Sequence, residues 1–429
     1  MIPRPPPVEP PLGAVLVIGT GLIGTSVGLA LTRRGVRVTL DDPSPTARLL
    51  ARDLGAGTLA AESGRGPATE LHGSGAASLD TDPPQLVVVA APPDVAGQVV
   101  VDALRRWPQA VVTDVSSVKQ VVLSQVRASG AELARYVGGH PMAGRERSGA
   151  IGAQADLFEG RPWVVVPHEE SDPAAVALVE AAARLTGAVA NRMDAATHDA
   201  AVAAISHVPQ VAASLVAGRL RDLPTESIGL AGQGVRDVTR IAASDPSLWT
   251  QILAGNAPAV RTVLDELAAD LDRLRDALAR LDDMSDGTDM TDGTDSTDAS
   301  DGAATAVSAP PARGSAPVSA PSTPDAPPLG PRAVLAGIVA DGNAGHARIP
   351  GKHGNAPTTY AIVTVSIPDR PGMLGRLFQE VGEEGINLED IHLEHGLGAQ
   401  VGILELSVMP AAAEPLRAGL LARGWQLLD

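Results

Sequence analysis

The chain has no cysteine, which excludes disulfides, thiolate catalysis and cysteine-based zinc sites. Aromatic residues are scarce as well, at four Trp, two Tyr and two Phe, and only two lysines stand beside 31 arginines. An excess of positive charge is also missing: the formal net charge is −17, which argues against nucleic acid or an anionic membrane as partner. Neither a basic start nor a small-residue cleavage site marks Met1–Gly13, so no signal peptide is expected and a soluble, cytoplasmic protein is the default. Apolar residues, by contrast, are plentiful. At 44% hydrophobic and 19% charged, wholesale disorder is excluded, and 429 residues suit two or three domains.

Composition separates the chain into regions. Residues 14–170 alternate helical stretches with short β-branched runs at Ala14–Ile18, Val36–Leu40, Leu86–Ala90, Ala110–Thr113 and Trp163–Val166. Runs of that kind fit the buried strands of a parallel sheet crossed over by helices, a doubly wound α/β domain. The apolar stretch Val15–Leu31 approaches a membrane span in length, but its four glycines and change of period read as strand, turn and helix. Residues 171–281 read as almost wholly helical, ending in the amphipathic, exposed or dimer-facing stretch Val260–Leu281. Residues 282–330 carry Thr-Asp-Gly repeats and an Ala/Pro/Ser stretch without an apolar face, and read as a disordered linker. Eight aspartates and no Lys or Arg fall within residues 282–301, so about half of the net charge belongs there. An ordered connecting segment, 331–358, is expected to contain a strand at Val334–Val339 and the loop Arg348–Gly354, for which no mechanism is evident. Residues 359–429 then read as a small α/β sandwich of order βαββα with a possible last strand.

Gly19-Thr20-Gly21-Leu22-Ile23-Gly24 follows the first strand directly and opens a helix over Leu22–Arg33. In that context the first glycine permits a tight turn, the second admits a pyrophosphate and the third lets helix and strand pack closely. The helix N-terminus supplies free N–H groups for the phosphates. The strand Val36–Leu40 runs into Asp41, placed to accept from the adenosine ribose hydroxyls; a carboxylate there favours NAD over NADP, although Asp42 competes for the role. Ala91 and Pro92, in the exit loop of the Leu86–Ala90 strand, are expected to border the nicotinamide side.

Asp114-Val115-Ser116-Ser117-Val118-Lys119 stands at the carboxyl end of a strand, where open α/β sheets bind ligands. The run Gly138–Gly149 holds His140 between glycines and Pro141, a setting that favours catalysis over a packing role. Further on come His198-Asp199, then Ser206-His207-Val208-Pro209-Gln210, with Ser206 and Gln210 four apart on one helix face. Asp237–Arg240 and Trp249 follow, Arg240 being the best available partner for a carboxylate. His392-Leu393-Glu394-His395 offers ligand types, but in a strand residues three apart face opposite sides, so no metal site is expected.

Over residues 14–281 these pieces resemble the prephenate/arogenate dehydrogenases of tyrosine biosynthesis, with the run around His140 the most specific element. The resemblance implies an NAD-binding Rossmann domain, an all-α dimerisation domain and an active site between them. It implies oxidative decarboxylation of a cyclohexadienol, in which His140 accepts the C4 hydroxyl proton as hydride passes to NAD. Ser117 would orient His140 and touch the nicotinamide, with Asp114, Leu22 and Ile23 also at the cofactor. Arg240 would bind a substrate carboxylate with Thr239 beside it, and Lys119 would add positive charge to the pocket. Glu146 would gate the pocket mouth, Ser206 and Gln210 would contact the side chain, and Trp249 would wall the site. Several relatives carry His where this chain has Gln210, which leaves prephenate and arogenate both open; prephenate leads, since nothing acidic in the motif favours an ammonium. The last block resembles an ACT domain, an amino-acid-sensing module, on Asp369-Arg370-Pro371-Gly372-Met373-Leu374 and Gly385-Ile386-Asn387-Leu388. That resemblance implies an effector, tyrosine first among candidates, held at Asp369, Gly372, Met373, Leu374 and Asn387. A β-hydroxyacid dehydrogenase would ordinarily need a lysine in the helical region, and residues 172–281 contain none. A non-catalytic amino-acid sensor is disfavoured because His140, Ser117 and Arg240 are all present.

Overall fold

Runs that are apolar at every position can be satisfied only by burial on both faces, and the first strands are buried in that way. The computed structural model describes residues 12–60, 83–144, 149–286, 329–349, 360–395 and 401–428. In it β1 (Val15–Ile18), β2 (Val38–Asp41), β3 (Thr58–Leu59), β4 (Leu86–Val89) and β5 (Val111–Asp114) form one parallel sheet of order β3-β2-β1-β4-β5. Val15 is in register with Val38 on one side and Leu86 on the other. Period-two alternation splits the core into two layers: Val15 and Val17 pack with Val27 and Leu31 on one face, Leu16 with Val100 and Leu104 on the other. Strand order reverses between β1 and β4, which opens a crevice beyond their carboxyl ends.

Two expectations change here. Trp163–Val166 does not join the parallel sheet. It lies in β7 (Pro162–Val166), between β6 (Gly138–Pro141), to which it is antiparallel, and β8 (Val189–Arg192), to which it is parallel. A parallel return from β6 would need a long crossover, and the described residues between β6 and β7 hold only a short 3-10 turn, Ala150–Gly152. A single bridge, Val112 to Tyr136, ties the two sheets together. The second change is β8 itself, which interrupts the region read as helical. Gly187 has φ +87°, a left-handed conformation that ends the helix Pro173–Leu185 and releases the chain into a strand. That helix packs in the same core layer as Val15 and Val17.

Beyond β8 the chain is helical through Asp286. The continuous run Ala195–Leu220 is long and apolar enough to cross a membrane by length and composition, with a hydropathy of 1.5 over its best window. It nevertheless carries four buried polar side chains, His198, Asp199, His207 and Gln210, as a site-lining helix would. Its middle, Ala203–His207, is a π-helical turn.

The chain divides into two units, Met1–Asp265 and Glu266–Asp429. In the second, the expected strand Val334–Val339 is instead part of a helix, Pro331–His346. Val334, Leu335 and Ile338 recur at helical spacing, and Pro331 is pre-set for the first turn. Gly351–Gly354, with Pro350, fall outside the described residues. The last block keeps the expected order: β9 (Ala361–Pro368), helix Met373–Glu383, β10 (Asp390–His395), β11 (Val401–Val408), helix Pro410–Ala422 and β12 (Gln426–Leu428). Its antiparallel sheet, β10-β11-β9-β12, buries Val363, Val365, Leu404 and Leu406 beneath Leu377 and Leu416.

Close packing in the first domain yields a test. A Cβ on Gly28 would stand 2.6 Å from the Ala56 carbonyl oxygen, a backbone atom that cannot swing away. Gly28→Ala is expected to lower stability by about 1–3 kcal/mol, read by urea unfolding. An unchanged midpoint would show that the helix can retreat.

Candidate active site

The crevice above β1 is built for a dinucleotide. Gly19 has φ +99°, and a Cβ there would stand 2.5 Å from the Ala90 carbonyl oxygen; at Gly24 a Cβ would overlap the Gly19 carbonyl. At Gly21, by contrast, a Cβ would meet nothing within 4 Å, so the loop is tight beneath and open above, as a pyrophosphate requires. No side chain caps the helix Leu22–Arg33, which leaves its first-turn N–H groups for phosphate oxygens. Half-buried Leu22 and Ile23 form that first turn. The two aspartates differ in their contacts. Asp42 is occupied by the glycine loop, accepting from Thr20 N at 2.6 Å, Thr20 Oγ1 at 3.0 Å and Ser44 N at 2.8 Å. Asp41 keeps an exposed carboxylate, 3.7 Å from Arg48, at the end of β2. Ala91 and Pro92 lead from β4 into the helix Pro93–Arg106, half-buried and exposed respectively. These residues fit a dinucleotide.

At the ends of β5 and β6 a second, buried construction begins. Asp114 is fully buried and is paired with Lys119 Nζ, which also donates to the Gly139 carbonyl at 2.8 Å. Tyr136 donates its hydroxyl to Asp114 Oδ1 at 2.9 Å, and Ser116 bonds the other oxygen. Burial pulls the Lys119 ammonium below its ordinary pKa, against the opposing pull of Asp114 and Asp199, and pushes the Tyr136 phenol well above its own. A Cβ at Gly139 would come within 2.8 Å of the Asp114 carbonyl oxygen, so the glycine before His140 lets β6 press onto this pair.

His140 faces away from that pair, toward the helical region. Its Nδ1 lies 2.8 Å from His198 Nε2, and His198 Nδ1 lies 2.8 Å from Asp199 Oδ1. Asp199 also accepts from the backbone N–H of Lys119 and of Gln120, each at 2.9 Å, at the start of the helix Gln120–Ala128. The carboxylate can only accept, so His198 carries its proton on Nδ1 and accepts at Nε2 from His140 Nδ1–H. His140 Nε2 is left with a lone pair. Burial, together with His198, Lys119 and His207, holds the His140 imidazole well below its usual pKa, so it is neutral at physiological pH. Asn256 Nδ2 spans the Asp199 carbonyl at 2.8 Å and His207 Nδ1 at 3.1 Å, and Trp249 packs edge-on against His207. Desolvation lowers the His207 pKa to about 4.

A neutral base aimed from a dinucleotide fold is the arrangement of an alcohol-oxidising enzyme, and comparison with known proteins agrees. Residues 27–192 match the nucleotide-binding domain of prephenate dehydrogenase and residues 194–287 its dimerisation domain. The probable prephenate dehydrogenase NovF of Streptomyces niveus is 33% identical over 415 residues, spanning 96% of this chain and 98% of its own. The chain belongs to the prephenate dehydrogenase family. It is an NAD-dependent oxidoreductase by that membership. The prephenate dehydrogenase of Bacillus subtilis is 32% identical over 269 residues, covering 61% of this chain and 69% of its own. Among solved structures, the Aquifex aeolicus prephenate dehydrogenase in complex with hydroxyphenyl propionate and NAD+ aligns with TM-score 0.54 and 26% identity, over 64% of this chain and 93% of that one. Synechocystis arogenate dehydrogenase aligns with TM-score 0.51 and 25% identity, over 64% of this chain and 98% of that one.

Several residues singled out for this family's chemistry sit differently from expectation. Asp114 and Lys119 are walled in and paired with each other, so neither is open to cofactor or substrate; they brace β6 instead. The hydrogen-bond partner of His140 is His198, and half-buried Ser117 has no hydrogen bond among the described residues. Gln210 is buried and turned toward serines, 3.4 Å from both Ser214 Oγ and Ser244 Oγ. Ser206 is half-buried in the π-helical turn. Thr239 gives its hydroxyl proton to the Val235 carbonyl at 2.6 Å. Arg240 opens the 3-10 turn Arg240–Ala242, exposed and without an ion-pair partner among the described residues. Glu146 lies outside the described residues. Residues given no role from the sequence, His198, Asp199, His207 and Asn256, are joined to His140 or to one another by hydrogen bonds. The adjacency of His198 and Asp199 in an apolar helix was the available signal.

The Lys119–Asp114 pair supplies a stability test. Lys119→Met would leave a buried carboxylate without its cation, and the expected loss is about 3–5 kcal/mol in chemical denaturation. A loss under about 1 kcal/mol would mean that Tyr136 and Ser116 alone satisfy Asp114.

Proposed function

We propose that this enzyme converts prephenate to 4-hydroxyphenylpyruvate by NAD-dependent oxidative decarboxylation in tyrosine biosynthesis, with His140 as the proton acceptor. The observation that carries this reading is the His140 ring, neutral and held through Nδ1, with Nε2 free for a hydroxyl proton. NAD, when bound, supplies the hydride acceptor, and Gly19, Gly21, Gly24, Leu22, Ile23 and Asp41 would hold it. Arg240, an exposed guanidinium, would bind a substrate carboxylate, and Trp249, packed edge-on against His207, would wall the site. Gln210 and Ser206 would contact the substrate's side chain, and Ser117 would offer its hydroxyl to the nicotinamide. Loss of the ring carboxylate as CO2 aromatises the ring and drives the reaction forward. Arogenate is the second reading, favoured by the likeness to the Synechocystis arogenate dehydrogenase; the lack of an acidic side chain in Ser206–Gln210 supports prephenate.

A homodimer fits the matched dimerisation domain and the exposed Ile205, Leu215, Leu223, Leu230 and Val238 of the helical region. Soluble small-molecule substrate and cofactor suit a cytoplasmic enzyme. The C-terminal block we assign as an ACT-like sensor of an aromatic amino acid, on its βαββαβ order and on Gly372, whose φ of +88° shapes the turn into the helix Met373–Glu383. Asp369, Met373, Leu374 and Asn387 flank that helix start and the next turn; Asn387 donates to Glu389 at 2.9 Å.

Two experiments test these assignments. His140→Asn is expected to lower kcat with prephenate and NAD by about 10²–10⁴-fold. In the wild type the acid limb of kcat/KM should lie below pH 6.5, because burial lowers the His140 pKa and the ring stays deprotonated as pH falls past the ordinary imidazole value. A limb at or above 6.5, or full kcat in the variant, would remove His140 from the role. Tyrosine is expected to inhibit the full chain and to lose that effect when residues 332–429 are deleted; equal inhibition of both proteins would refute the sensor assignment.

A further inference from the structure

We propose that His198 and Asp199 are positioning residues for His140, fixing its tautomer and sharing the positive charge it acquires when it takes the substrate proton. This rests on the reading of His140 as the proton acceptor. Three contacts in series carry it. Asp199 is anchored by two backbone N–H groups at 2.9 Å; it faces His198 Nδ1 at 2.8 Å, and His198 Nε2 faces His140 Nδ1 at 2.8 Å. His198 and Asp199 are each 1% exposed, and both ring nitrogens of His198 are used in this series. Anchoring the start of the helix Gln120–Ala128 needs only the carboxylate; a buried imidazole between it and His140 adds nothing to that anchor.

The charges around His140 make such support necessary. Burial, His198 and Lys119 all disfavour a positive ring, and Asp114 is occupied by Lys119. Asp199, one imidazole away, is the anion connected to His140 through hydrogen bonds. When the substrate O–H bond breaks, its proton forms an N–H bond at His140 Nε2, and the O–H electron pair would become the second C–O bond as the C4 hydride leaves to NAD, when bound. His140 then carries hydrogen on both nitrogens. Its Nδ1–H remains donated to His198 Nε2, and His198 Nδ1–H remains donated to Asp199, so charge is shared along the series without a proton leaving the protein.

The test compares wild type, His198→Ala and His198→Gln as full-length proteins, with steady-state kinetics on prephenate and nitrogen NMR of labelled histidine, the His140 signals being identified by their loss in His140→Asn. Glutamine offers an acceptor and a donor on one amide, so it can replace part of the series. His198→Ala should lower kcat about 100-fold while KM stays within about threefold, and His198→Gln should recover at least about tenfold of that loss. The NMR spectrum should show His140 as the Nδ1–H tautomer in wild type and as a mixture in His198→Ala. A kcat within twofold of wild type in His198→Ala, a change confined to KM, or an unaltered His140 tautomer would overturn the proposal. If the wild type does not turn over prephenate, the proposed function fails, and the NMR comparison alone decides the positioning role.

Discussion

The buried pair of Lys119 and Asp114 is the constraint on which the site depends. A charge with almost no water contact persists only when an opposite charge and hydrogen bonds meet it, and here they come from three separate segments. Asp114 ends β5, Lys119 precedes the helix Gln120–Ala128, and the Gly139 carbonyl belongs to β6. The pair therefore adds a second tie between the two sheets beside the isolated bridge of Val112 and Tyr136. It fixes the strand carrying His140 relative to the crevice that receives the nucleotide. Two glycines precede His140 because the lysine stem and the Asp114 backbone lie directly beneath them.

The same helix start is used twice. Its side-chain lysine faces inward to Asp114, while its backbone N–H groups at Lys119 and Gln120 face Asp199. Asp199 thus ties the helical region to the nucleotide-binding fold at the point where the base is oriented. The carboxylate settles which nitrogen of His198 holds a proton, His198 settles it for His140, and the free lone pair of the base follows. A chain of single-acceptor choices is thereby set by one fully buried acid.

Much of this was legible in the sequence wherever local rules govern. The glycine loop after β1, the β-branched strands and the βαββαβ order of the last block follow from periodicity and turn chemistry, which need no distant partner. His140 stood out because Gly and Pro around it restrict the backbone. Legibility failed where tertiary contacts decide. Val334–Val339 is β-branched enough to suggest a strand, yet its spacing and Pro331 make a helix. Lys119, one of two lysines, suggested an open cation, and only the proximity of Asp114 shows that it is enclosed. Ser117 was read as the partner of His140, and the contact with His198, which spans 58 residues of chain, lay beyond any local rule. Asp41 and Asp42 differ in their contacts because Thr20 of the glycine loop bonds the second of them.

The π-helical turn Ala203–His207 solves a problem of phase. At 3.6 residues per turn, residues nine apart lie about half a revolution from each other, so an uninterrupted helix would aim His198 and His207 in opposite directions. The wider turn between them unwinds part of that angle, and Asn256 can then reach the carbonyl of Asp199 and the ring of His207 with one amide. The extra residue works as a vernier, setting the two halves of a single helix to a common bearing. Such a setting tolerates substitution of side chains far better than any change in the number of residues, because one residue more or less would rotate everything beyond it by about 100°.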